Sequence, residues 1–141
     1  MSHPISRAVE IKIYPTAGDA RGDSYPLGDL IATAISKAVD CHVATMNPGA
    51  IRGNHAHLSR CELIMAIYRD RWSLFWDGGP GTSVHEKKFD GAGLAALTIP
   101  PGCSHALRND GLQTMTIVSI SDGKYSEQSG ETIRRHVCPP Q

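Results

Sequence analysis

The chain has 141 residues, enough for one domain (1–141) with a continuous core and no need of disulfide or metal staples. Fourteen Lys and Arg balance fourteen Asp and Glu, and the basic residues are scattered, which argues against a nucleic-acid partner. Charged residues and two prolines interrupt Met1 to Ala20, and no later apolar run could span a membrane. With Cys41, Cys61, Cys103 and Cys138 forming no CxxC pair, free thiols and a cytoplasmic setting are expected.

Fourteen glycines and nine prolines cut the chain into short apolar segments, an all-β rhythm. Val9, Ile11 and Ile13 alternate with Glu10 and Lys12, predicting a strand over 8–14 that ends at Pro15. Leu30 to Ala38 reads as a helix or, equally, a strand. Further strands are predicted over His42–Met46, Cys61–Tyr68, Trp72–Trp76, Val84–Phe89, Leu94–Ile99, Ser104–Leu107 and Thr114–Ile120. Turn-forming residues separate them, among them Asn47-Pro48-Gly49, Pro100-Pro101-Gly102 and Asn109-Asp110-Gly111. Trp72, Leu74 and Trp76 share one face of their strand, which suits a core or a dimer interface. From Ser126 onward the chain turns polar, and 126–141 reads as a surface-lying or loose tail without a function.

His55 and His57 lie two residues apart, so on a strand both imidazoles leave one face and can grip a single ion. Glu62 is at an odd offset, and a turn over Leu58 to Arg60 returns it on the next strand. His105 follows the tight reversal at Pro100-Pro101-Gly102. Three imidazoles and a carboxylate suit Zn, Fe, Mn or Ni, without choosing among them. The alternative is a set of buried hydrogen-bonding side chains with no ion. Cys61 and Cys103 adjoin two of these positions, but neighbouring strand residues face opposite ways, so both read as buried thiols.

Two motifs carry a resemblance. Gly49-x5-His55-x-His57-x4-Glu62 and Pro100-x-Gly102-x2-His105-x3-Asn109 resemble the paired motifs of the cupin superfamily. Arg69 and Leu94 stand where those motifs usually carry glycine, with Gly93 next door to the second. The resemblance implies a double-stranded β-helix, an RmlC-like jelly roll. The core would run over about 43–120, with the N-terminal strands completing the barrel or crossing to a second subunit of a homodimer. It also implies that His55, His57, Glu62 and His105 bind the metal.

The string from Pro48 to His57, PGAIRGNHAH, is similar to the cupin domains of polysaccharide biosynthesis. These include the C-terminal cupin of the capsular reductase/epimerase and, in its shorter core, the dTDP-sugar ketoisomerases. That implies a metal-dependent isomerase or epimerase of a keto sugar, with Arg52 holding a substrate phosphate or carboxylate. Tyr68, His42 and His85 are the candidate acid–base groups. A non-haem dioxygenase and a non-catalytic small-molecule-binding cupin stay open as alternatives.

Overall fold

The turn residues that punctuate the sequence become the ends of antiparallel strands. The computed structural model describes residues 8–124 and 130–139. Within them lie β1 (Glu10–Pro15), α1 (Leu30–Ala34), β2 (Asp40–Met46), β3 (Ile51–His57), β4 (Glu62–Tyr68), β5 (Trp72–Trp76), β6 (His85–Phe89), β7 (Gly93–Ile99), β8 (His105–Asn109), β9 (Met115–Ser121) and β10 (Thr132–Arg134). They form two five-stranded antiparallel sheets, ordered β1-β7-β4-β9-β2 and β10-β3-β8-β5-β6. This is the all-β jelly roll expected from the motifs. Strand β1 pairs with β7 of its own chain. Among the described residues no helix is long and apolar enough to cross a membrane.

Inward-facing residues of the two sheets meet in the main core, where Trp72, Leu74, Leu97 and Met46 are fully buried. Trp72 stacks on Phe89, their ring centroids 4.1 Å apart, which closes the end of the barrel carrying β5 and β6. The near-continuous apolar runs of β4 and β7 have a second cause. Their outer faces are also covered, Leu63, Met65, Leu94 and Ala96 packing beneath Leu30 and Ile35 of the α1 segment.

Three features go beyond the sequence reading. The helix stops at Ala34, because Ile35 turns extended (φ −134°, ψ 123°) and drops its side chain into that outer cluster. On β5 the second face is buried too: Phe75 packs under Val137 and Cys138. Of the two readings of the tail, surface-lying or loose, the first holds over 130–139: this stretch covers a sheet face and adds β10 to the edge of β3, while 126–129, 140 and 141 lie outside the described residues.

The two motifs meet at one hairpin end. Asn109, fully buried, donates to the carbonyls of Met46 and Gln113, while its backbone carbonyl accepts from Gly49. The displaced glycine also has its reason: a Cβ at Gly93 would lie 2.7 Å from the Tyr68 hydroxyl, so β7 needs glycine one position before Leu94.

Candidate metal centre

An irregularity in β3 builds the site. Arg52 and His55 are three residues apart, so an unbroken strand would send them to opposite faces. A bulge intervenes: Gly53 (φ 102°) and Asn54 (φ 57°) take left-handed backbone, and the register with β8 shifts between Gly53 and His55. The extra residue returns His55 and His57 to the side that Arg52 faces, and all three line one cavity. Across the ladder His55 stands opposite His105 of β8. Glu62 comes from the head of β4, in the facing sheet. This is the next strand after His57, as the sequence spacing predicts, and it lies in the other sheet.

The four side chains converge, one donor atom from each lying within 4.8 Å of every other. Nε2 of His105 is 3.3 Å from Oε1 of Glu62, and Nε2 of His57 is 3.5 Å from Oε2. Beyond that long carboxylate contact, the buried His57 Nε2 makes no hydrogen bond among the described residues. A buried polar atom left in that condition is costly, and a cation among the four donors would satisfy it. Borderline nitrogen and carboxylate donors in this number fit a divalent transition metal.

Electrostatics favour the metal-binding forms of His55 and Glu62. Burial, helped by the neighbouring His105 and His57 rings, pushes the His55 imidazole down to about 4, so it is neutral near pH 7. Burial alone would raise the Glu62 carboxyl, but the His105 and His57 imidazoles beside it outweigh that and hold it well below the usual range.

A pH dependence follows for the metal-free protein. The unfolded chain protonates His55 near 6.5, the folded chain only near 4, so the unfolded state binds more protons between these values. Stability is therefore whole above 6.5 and falls as pH drops towards 4. Urea midpoints at several pH values should show this slope, and His55→Gln should flatten it. An unchanged slope in that variant would refute the assignment.

The donors sit in a cavity of about 510 Å³ whose base is apolar, with Ile64, Leu107 and Ile117, and whose walls add Asp40, His42, Ser119 and Ser121. Arg52 is exposed at the rim, where its Nε donates to the Thr45 carbonyl (3.0 Å). Of the three acid–base candidates, His42 lines the cavity. Tyr68 does not: it ends the strand that Glu62 begins, about 20 Å away at strand rise, and packs against Trp72 and Phe89 in the core. His85 lies on edge strand β6 with its ring against Trp76, also outside the cavity. Cys61 and Cys103 are absent from the donor cluster; Cys103 is buried and Cys61 half-buried.

Asp40, Ser119 and Ser121 of the wall escaped the sequence reading, as did two residues that touch His57. Arg60, in the turn between His57 and Glu62, places Nη2 3.1 Å from His57 Nδ1. Thr132 of β10 places its hydroxyl 3.2 Å from the same nitrogen. A cation two residues from a ligand was a usable signal for Arg60. No local pattern announced Thr132.

No protein-family model matches the chain, and no curated protein does. Solved structures do match. A dTDP sugar isomerase from Desulfovibrio desulfuricans G20 aligns with 94% of this chain and 86% of its own at 16% identity and a TM-score of 0.69. The sugar 3,4-ketoisomerase QdtA from Thermoanaerobacterium thermosaccharolyticum, solved in complex with TDP, aligns with 94% and 91% at 14% identity and 0.63. The capsular polysaccharide assembling protein CapF from Staphylococcus aureus aligns with 88% of this chain but 33% of its own, at 18% identity and 0.63. The chain thus spans about a third of the length of that protein. These likenesses are of fold: the chain folds as a jelly roll of the kind seen in those structures.

Proposed function

We propose that the protein is a metal-dependent isomerase or epimerase acting on a keto sugar, in nucleotide-linked form. The observation that carries the proposal is the convergence of His55, His57, Glu62 and His105 at one cavity whose rim holds Arg52. Ketoisomerase and sugar isomerase structures among the fold's neighbours support the choice of substrate class.

The four donors would hold the ion, which when bound supplies positive charge against the negative charge that develops on a ketone oxygen as the adjacent carbon loses a proton. His42 sits on β2 of the facing sheet and serves as the acid–base group that takes the proton and returns it. Arg52, anchored through Nε at the mouth, meets a phosphate oxygen with its remaining N–H groups. The apolar base excludes water from beneath the reacting carbons.

The test is incubation of metal-loaded protein with TDP-4-keto-6-deoxyglucose in deuterated water, followed by mass spectrometry of the sugar and an oxygen electrode. Solvent deuterium entering the sugar without oxygen uptake is the expected result. Substrate-dependent oxygen consumption with Fe(II) would replace this reading with a dioxygenase. Tight binding across a panel of keto sugars with neither signal would reduce it to a binding protein.

A further inference from the structure

The segment 130–139 touches every stretch of chain that presents a histidine ligand. At the β3 bulge, Oδ1 of Asn54 accepts from the backbone N–H groups of Val137 and Cys138 (3.0 and 2.9 Å), and the Asn54 carbonyl accepts from Arg135. At the turn joining His57 to Glu62, the Glu131 carboxylate accepts from the N–H groups of Ser59 and Arg60 and from the Ser59 hydroxyl. At the reversal before His105, Arg135 donates to the Gly102 carbonyl. Gly102 in turn donates its N–H to the carbonyl of His57 (2.7 Å). Strand β10 completes the arrangement by placing Thr132 directly opposite His57.

The contact between Thr132 and His57 has a definite chemical sense. The His57 nitrogen that faces Glu62 is Nε2, so a ligating His57 must present the Nε2 lone pair and carry its proton on Nδ1. That proton needs an acceptor. Of the two groups beside Nδ1, the Arg60 guanidinium can only donate, whereas the Thr132 hydroxyl can accept. With Arg60 donating to Nδ1, the neutral ring carries its proton on Nε2 and cannot ligate through it. The two neighbours therefore favour opposite tautomers of one imidazole.

We infer that Thr132 is a positioning residue for the metal site: its hydroxyl accepts the Nδ1 proton of His57 and selects the ligating tautomer, on a C-terminal strap that holds the ligand-bearing turns in register. This rests on the metal-centre reading above. Outer partners of ligating histidines fix tautomer and ring orientation, and their loss typically costs about 10- to 100-fold in metal affinity.

Thr132→Val keeps the shape and strand preference of the residue and removes the acceptor, while Thr132→Ser keeps the acceptor. Affinity for Zn(II) is measured on the full chain by chelator competition, coordination by the visible absorption of the Co(II) form, and stability by thermal unfolding of the metal-free protein. The expected result is an affinity loss of about 10- to 100-fold in Thr132→Val, with an altered Co(II) spectrum and an unchanged metal-free midpoint, and near-native behaviour in Thr132→Ser. Native affinity in Thr132→Val overturns the inference while leaving the metal centre standing. Equal losses in both variants, or a loss matched by metal-free destabilisation, reduce Thr132 to a structural role. A wild-type protein that takes up neither ion removes both the inference and the metal centre.

Discussion

Glu62→Gln should lower affinity for a divalent ion by more than about 100-fold, beyond the usual loss for an outer partner. Glutamine matches glutamate in shape but brings no charge, and Glu62 is the one anionic donor of the four. The backbone has no reason to move, since Glu62 is held in register by Ile99 on one side and Ser121 on the other. The variant should therefore fold normally and fail selectively in metal uptake. Metal analysis after refolding with Zn, Fe, Mn and Ni in turn, with chelator competition on whichever ion binds, is the measurement. Retention of a full equivalent of tightly held metal would place the ion elsewhere. A wild-type protein that takes up less than roughly a tenth of an equivalent of any of them would leave the four side chains as a hydrogen-bonded cluster.

Gly53→Ala should damage fold and site together. Gly53 has φ 102°, where an L side chain is strained, and a Cβ there would lie 2.6 Å from the His105 carbonyl oxygen and 3.0 Å from Ala106 Cα. Both contacts are backbone of the paired strand β8, which has no flexible end to swing aside. Either the bulge reshapes or β8 retreats, and β8 carries His105. Backbone strain of this kind costs roughly 1–3 kcal/mol, and the clash adds to it, for an expected loss of about 3 kcal/mol. Urea unfolding of the metal-free protein gives the stability, and chelator competition gives the accompanying weakening of metal binding. A variant with the wild-type midpoint and affinity would show that β3 does not need the bulge observed.

Much of this architecture was legible in the sequence because it rests on local rules. Alternation in β1 and turn chemistry at Asn47-Pro48-Gly49 and Pro100-Pro101-Gly102 are read within a few residues, and β5 falls on Trp72–Trp76 as predicted. The donors His55, His57, Glu62 and His105 stood out by spacing and motif, and the structure brings them together. The bulge was written in the Gly53-Asn54 dipeptide, a signal of irregularity inside a strand, yet a straight-strand reading of His55 and His57 gave the same answer and concealed it. Segment 130–139 was not legible, because Thr132-Ile133-Arg134 has no apolar alternation. What holds it are Asn54, Ser59 and Arg60, more than seventy positions away. Tyr68 and His85 were plausible by residue type alone, and burial against Trp72 in one case and an edge strand in the other removed them from the cavity.

Three of the four donors hang from one sheet and Glu62 from the other. An ion shared by all four would therefore tie the two layers across the interior, and no such site exists once the chain unfolds and His55 and His105 part. Binding would then be thermodynamically linked to folding, adding about 2.7 kcal/mol of stability when free metal stands at 100 times its dissociation constant. The apparent thermal midpoint would become a gauge of free metal concentration, and a chelator would act on this protein as a mild denaturant.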